Sequence, residues 1–330
     1  MSKVLVTGGA GFIGSQVSVK LLARGDEVVI IDDFNDRYNP KIKEARMDNL
    51  FKDVPKPTLV REDLCDLKVV TKLFSKHKFD QVIHLAAWAA VQGSLDDPYI
   101  YTKTNVDGTV NIFNTAKDFD IKNIVFASSS SVYGGREKVP FKETDDISSP
   151  ISPYAATKAA GELMCATWYN LYKIPITALR FFTVYGPWGR PEMAMFLFAK
   201  AILEKKPIQM RGKDTMRDFT YIEDCVDGVI AALDHPHDYT ILNIGESDVV
   251  PLPRLISLLE EELGKKAIVE EVPLPLGDVP RTLADISKAK ELIGYSPTTK
   301  IEDGVKKFTE WYLDWYIPKF EPKLNKTISR

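Results

Sequence analysis

Cysteine is scarce in this chain. Three cysteines are spread over 330 residues, at positions 65, 165 and 225, with no CxxC spacing among them. That pattern excludes a disulfide frame and a thiolate zinc site, and the thiols are expected to be buried in a protein of the reducing cytoplasm. The four histidines, His77, His84, His235 and His237, form no ligand pattern with them, and no metal is expected. A surplus of one charge is missing too: the formal net charge is −3. With no long basic run, neither nucleic acid nor an anionic membrane is the expected partner. No apolar run reaches the roughly 18–20 residues of a membrane span. The opening MSKVLVTGGAGFIG is expected not to be a secretory leader, because its apolar run is short and leads into glycines instead of a cleavage site. There are no internal repeats and no low-complexity linker.

What is present is an ordinary globular composition, 45% apolar and 27% charged, with length enough for a large core. Residues 3–7 (KVLVT) form a short β-branched run that reads as a buried strand. Glycines follow, then Phe12, Ile13, Val17, Leu21 and Leu22 at helical spacing, with Gly25 as the stop. A second strand, 27–31, ends at Asp32. Strand patterns recur at 58–61, 81–85, 123–127 and 176–179, with helical segments between them, including 99–119 and 154–172. This alternation predicts an α/β fold, a Rossmann-like doubly wound parallel sheet.

After Arg180 the rhythm breaks. FFTVYGPWGRPEM is rich in Gly, Pro and aromatic residues and is expected to be irregular. Helices at 194–204, 223–235, 252–263 and 301–316 and strands at 208–210 and 240–244 follow. The expected division is a nucleotide-binding domain over 1–180, with a return segment near 219–244. A smaller substrate lobe is expected over 181–218 and 245–330. Phe308, Trp311, Tyr312, Trp315 and Tyr316 lie at helical spacing and are read as docking core.

Three constellations carry chemistry. Gly8, Gly11 and Gly14 lie between a strand and a helix, where the missing Cβ atoms permit a tight turn, a close approach to a pyrophosphate and tight helix packing. The helix N-terminus then offers free amides to the phosphates. Asp32, closing the next strand, is placed to accept from ribose hydroxyls and to repel a 2′-phosphate, so NAD is expected over NADP, with Asp33 as the neighbouring competitor. Second, Ser128–Ser131 follow a strand and emerge at the carboxyl edge of the sheet, where open α/β folds bind ligands. Third, Tyr154 and Lys158 stand one helical turn apart on one face. An ammonium beside a phenol favours its ionised form, so the pair can supply a proton acceptor near neutral pH.

These motifs resemble the extended short-chain dehydrogenase/reductase superfamily, in its sugar-nucleotide-modifying branch. The matching features are the glycine trio, Asp32, HLAA (84–87), SSSSVYG (128–134), Tyr154-x-x-x-Lys158, RFFTVYGPWGRPEMA (180–194), RDFTYIEDC (217–225), GDVPRTLADISKA (277–289) and FTEWYLDWY (308–316). UDP-glucuronate 4-epimerases are the most similar group, through FFTVYGPWGRP and DDFNDRYNPKIKEAR (32–46).

The resemblance implies a resident NAD held also by Phe12, Ile13, Asp63, Leu64, Leu85, Ala86 and Ala87. It implies catalysis by Tyr154, Lys158 and Ser129, a UDP-sugar substrate and a homodimer formed through helices 99–119 and 154–172. Tyr154 would take the O4 proton, Ser129 would bridge the same oxygen, and Lys158 would hold the cofactor ribose. The 4-keto sugar would then turn over and be reduced on its other face. Dehydratases of the family carry an Asp-Glu pair after the catalytic hydroxyl, and decarboxylases a Glu. Here those positions are Ser130 and Ser131, which favours epimerisation. Arg190 is matched to the sugar's C6 carboxylate, with Ser130, Ser131 and Thr183 as helpers. Arg217 is matched to the diphosphate, and Asp278 or Arg281 to the uridine ribose. The family's stretch QAGVRYS is WAAVQGS here (88–94), which places Gln92 and Gly93 where the family has Arg and Tyr. A UDP-glucose/UDP-galactose 4-epimerase, a decarboxylase or dehydratase, and a catalytically silent NAD-binding protein are the alternative readings.

Overall fold

The computed structural model describes residues 1–328. Six strands, β1 (Lys3–Thr7), β2 (Glu27–Ile31), β3 (Thr58–Val60), β4 (Gln81–His84), β5 (Asn123–Ser129) and β6 (Ile176–Phe181), join with Tyr239–Ile244 in one seven-stranded sheet. Its order is Tyr239–Ile244, β6, β5, β4, β1, β2, β3, and every pairing is parallel. Read from β3 to β6, this is the doubly wound 3-2-1-4-5-6 order, which reverses between β1 and β4.

The strands are apolar on both faces because helices cover both. Val4, Val6, Val28, Ile30 and Val125 pack toward helices Phe12–Ala23 and Ile222–Asp234. Their neighbours Leu5, Val29, Ile31, Ile124 and Phe126 face helices Leu67–His77, Gly108–Ala116 and Pro153–Tyr172. Alternate side chains of a strand point to opposite faces, so continuous Val/Ile runs serve two cores. The first core continues through Phe196 and Phe308 to Leu324. The C-terminal aromatics belong to it: Phe196 lies 5.0 Å from Phe308 and 5.2 Å from Tyr316, and Trp188 lies 4.0 Å from Trp315 between ring centroids.

Several elements differ from the expectation. The stretch read as irregular contains a strand, Thr183–Tyr185, paired in parallel with Phe219–Tyr221. Its partner is remote in sequence, so no local pattern announces it. The segment read as one helix over 99–119 is interrupted by a π-helical turn, Lys103–Asp107, between helices Pro98–Thr102 and Gly108–Ala116. That turn presents Asn105, whose amide donates to the Trp88 carbonyl and to Thr157 Oγ1, both at 3.0 Å. π-turns commonly serve such special placements. Of the cysteines, Cys165 and Cys225 are buried but Cys65 is only half-buried. On helix Pro153–Tyr172, Met164 and Trp168 pack inward, whereas Leu163 and Leu171 are exposed. No helix among the described residues is long and apolar enough to cross a membrane.

Candidate active site

A cleft of about 860 Å³ opens at the carboxyl edge of the sheet, and the ends of β1, β2 and β5 contribute to its lining. The glycine turn forms its floor. Gly8 has φ +67°, and a Cβ there would sit 2.8 Å from Ala86 Cα; a Cβ on Gly14 would sit 2.4 Å from the Gly8 carbonyl oxygen. Only glycine permits both the left-handed backbone and the close approach. The following helix, Phe12–Ala23, begins with no side-chain cap. Its N-terminal end therefore keeps its affinity for an anion. Asp32 is buried at the end of β2 and accepts from the Ala10 amide at 3.1 Å, the Phe34 amide at 2.9 Å and Lys43 Nζ at 3.1 Å. Asp33, the neighbouring competitor, also lines the cleft and accepts from the Asn35 amide and side chain. Tight turn, bare helix end and strand-terminal carboxylate fit an NAD held by Gly8, Gly11, Gly14 and Asp32. Phe12, Ile13, Asp63, Leu64, Leu85, Ala86 and Ala87 line the same wall.

Opposite that wall stand Ser129, Tyr154 and Lys158, all largely buried and all in the cleft. Ser129 ends β5. Its Oγ accepts from the Ser131 amide at 3.2 Å and donates to Ser131 Oγ at 3.1 Å. Ser152 caps helix Pro153–Tyr172 by accepting from the Ala155 amide at 3.1 Å, which fixes where Tyr154 enters the cleft. Burial raises the Tyr154 phenol above its ordinary range, while the Ser129 hydroxyl and the Arg190 charge pull it back. The spacing led us to expect Lys158 in that part. Instead Lys158 Nζ donates to the Ala127 carbonyl at 2.7 Å, and burial pushes its own pKa down to about 8. Its Nζ is thus directed at the strand end, and Arg190 is the cation whose charge reaches the phenol.

Behind the site lies a polar network of equal interest. Glu162, one turn beyond Lys158, accepts from Ser128 Oγ at 2.5 Å and from Arg180 Nε and Nη2 at 2.8 and 2.7 Å. Beside β1, His84 bonds Thr7 Oγ1 at 2.7 Å and Thr109 Oγ1 at 3.0 Å, and burial holds it neutral by pushing its pKa down to about 3.

Toward the C-terminal half the cleft receives Ser130, Ser131, Thr183, Arg190, Arg217 and Asp278. Arg190 donates to the Ala89 carbonyl at 3.0 Å and lies 3.4 Å from Glu192. Arg217 donates to Asp278 at 2.9 Å, so these two form a pair within the cleft. Arg281 is exposed and does not line the cleft; its backbone bridges to Met216. His235 and His237 bond backbone carbonyls of Ala231 and Leu292. Among the lining residues not assigned a role from the sequence are Lys43 beside Asp32, Glu192 beside Arg190, and Arg37. Arg37 lies within the 32–46 segment that carries the resemblance, but nothing in that segment's spacing says that its side chain reaches the cleft; the fold does.

A buried Ser–Tyr–Lys group facing a dinucleotide cradle defines an extended short-chain dehydrogenase/reductase. The family model described as GDP-mannose 4,6 dehydratase matches residues 5–308, and the chain belongs to this NAD-dependent epimerase/dehydratase family. It is 47% identical to UDP-glucuronate 4-epimerase 1 of Arabidopsis thaliana, over 97% of this chain and 79% of that protein. A UDP-glucuronic acid 4-epimerase of Bacillus cereus, solved with UDP-glucuronic acid and NAD, superposes with a TM-score of 0.87 at 35% identity, covering 94% of this chain and 98% of that one. The UDP-glucose 4-epimerase of Thermotoga maritima, solved with UDP-glucose, gives a TM-score of 0.85 at 29% identity over 94% and 98% of the two chains.

Proposed function

We propose that this protein is an isomerase that inverts C4 of UDP-glucuronate, giving UDP-galacturonate through a transient 4-keto sugar. The observation that carries the reading is the Ser129–Tyr154 pair in one cleft with the dinucleotide cradle, followed by Ser130 and Ser131 instead of carboxylates. The high identity to plant UDP-glucuronate 4-epimerases and the likeness to the Bacillus cereus enzyme support it.

When bound, NAD supplies reversible hydride acceptance at C4 and a positive charge beside the phenol. The chain's own residues do the rest. Tyr154 takes the O4 proton and later returns it, and the Ser129 hydroxyl donates to the same oxygen. Lys158, whose Nζ donates to the Ala127 carbonyl, would hold the ribose. Epimerisation needs no second acid or base, and none follows Ser129. The Arg190 guanidinium can pair with the C6 carboxylate through two parallel hydrogen bonds. A 4-keto uronate is a β-keto acid that loses CO₂ when its carboxylate leaves the carbonyl plane, so Arg190, Thr183 and the Ser130 and Ser131 hydroxyls would restrain it. Arg217 and Asp278 are assigned to the nucleotide, and Arg281 has the weakest support because it lies outside the cleft.

We also propose the lobe division 1–180 with 219–244 against 181–218 with 245–330, a homodimer and a cytoplasmic role in polysaccharide precursor supply. Exposed Tyr99, Leu163, Leu171 and Tyr172 on the two expected dimer helices support the homodimer. Incubating the protein with UDP-glucuronate and resolving the products tests the function. UDP-galacturonate without released CO₂ is expected; conversion of UDP-glucose alone would favour the neutral-sugar epimerase.

A further inference from the structure

We propose that Arg37 is a second guanidinium of the sugar-carboxylate subsite, acting with Arg190, and that Gly93 exists at its position to admit it. This rests on the uronate reading above and names a residue that sets it. Arg37 follows β2 in the loop after Asp32, and its side chain lines the same cleft as Tyr154 and Arg190. Its guanidinium lies 6.0 Å from the Trp88 ring centroid, and its Nε is buried without a hydrogen-bond partner. Such a charged donor is costly to bury unless something arrives to pair with it.

Its surroundings are orphaned in the same way. The Tyr101 hydroxyl and both Glu192 carboxylate oxygens are buried and accept or donate no hydrogen bond. Tyr101 packs edge-on to Tyr154 at 6.1 Å and to Trp88 at 6.0 Å, and the charges of Arg37, Arg190 and Glu192 all reach its phenol. Two donors without a hydrogen-bond partner, Arg37 Nε and the Tyr101 hydroxyl, therefore gather beside the proton-transfer residue. A planar anion bearing two acceptor oxygens satisfies both, and the C6 carboxylate is the anion this substrate carries there. Glu192 opposes such an anion, but its 3.4 Å approach to Arg190 spends its charge on that guanidinium.

The role of Gly93 is steric. A Cβ on it would lie 2.6 Å from Arg37 Nη2 and 2.8 Å from the Tyr101 hydroxyl. Its φ is not in the left-handed region, so the backbone does not require glycine; a side chain there would instead push the Arg37 guanidinium aside. The adjacent Gln92, also in the cleft lining, donates to the Leu276 carbonyl at 2.9 Å. The 91–94 segment thus offers no cation of its own and leaves room for one from the other side of the cleft.

The test is equilibrium titration of the NAD-loaded protein with UDP-glucuronate, UDP-glucose and UDP, for the parent, Arg37→Ala, Arg37→Lys and Gly93→Ala. Loss of one charge-assisted contact predicts that Arg37→Ala weakens UDP-glucuronate about 10–100-fold while shifting UDP-glucose and UDP less than about threefold. Arg37→Lys should recover part of that preference, and Gly93→Ala, which displaces the guanidinium, should lose part of it. Equal weakening for all three ligands, or a loss of bound NAD with no change in the uronate-to-glucose ratio, overturns the proposal and makes Arg37 a cofactor or loop residue. If the parent itself converts UDP-glucuronate but the Arg37→Ala ratio is unchanged, the functional reading stands and this inference fails. If the parent does not favour UDP-glucuronate at all, both fall.

Discussion

Lys158 and Glu162 stand one helical turn apart, and each is fastened to the end of β5. Lys158 donates to the Ala127 carbonyl, while Glu162 accepts from the Ser128 hydroxyl and from Arg180. The helix that carries the proton-transfer residues is thereby clamped to the strand that carries Ser129. Glu162 and Arg180 are each about 2% exposed. Glu162→Gln leaves the Arg180 charge buried with a neutral partner, which costs about 3–5 kcal/mol. Chemical denaturation should show that loss, and the variant's turnover should fall because Ser129 and Tyr154 lose their common support. A stability change under about 1 kcal/mol would mean the network relaxes around the substitution.

Tyr154→Phe removes the proton acceptor and little else, since the ring packs against Tyr101 by its edge. Turnover should fall about 10²–10⁴-fold, the usual share of a positioned acid/base group, with bound NAD retained. Absorbance of the purified variant reports the cofactor and a coupled product assay reports the rate.

Gly14→Ala tests the cradle. Its Cβ would meet the Gly8 carbonyl at 2.4 Å, a backbone atom that cannot swing aside. The turn must open, and NAD affinity should fall by at least tenfold, measured by calorimetry on protein stripped of cofactor. Unchanged affinity would remove the turn from the cofactor site.

Stability should fall as pH rises from about 6.5 to 8, above the range in which His84, kept neutral by burial, works in the opposite direction. Glu246 is pushed up to about 8, first by burial and then by the Asp224, Asp218 and Asp248 charges. Asp218 is pushed up to about 6, again first by burial. Both bind protons more tightly folded than unfolded. Their stabilisation is present below the unfolded values and is lost as pH climbs through the folded ones. Glu246→Gln should leave the Asp218 share, ending near pH 6, and flatten the curve from about pH 6.5 to 8. Thermal melts across that range check it, with the variant melting higher than the parent at pH 8.

Much of this was legible in the chain. The strand β1, the glycine turn, Asp32, the serine run and Tyr154–Lys158 are local patterns, each carried by neighbours within one element and its turn. What escaped reading depends on partners far apart. Thr183–Tyr185 is a strand only because Phe219–Tyr221 lies beside it. The direction of Lys158 depends on Ala127, and the room for Arg37 depends on Gly93, 56 positions later in the numbering. The π-turn at Lys103–Asp107 has no composition signal; it carries Asn105, whose partners Trp88 and Thr157 lie in other elements. Arg281 was carried by resemblance alone, and nothing in its own surroundings brings it to the cleft.

The central claim is that Tyr154 takes and returns one proton while the C4 hydrogen never exchanges with water. UDP-glucuronate deuterated at C4, incubated with the protein in ordinary water, tests this directly by mass spectrometry and NMR of the product. The account predicts UDP-galacturonate that keeps its deuterium at C4, with no pentose product. Deuterium washed out to solvent, or a UDP-pentose in place of the uronate, would contradict it.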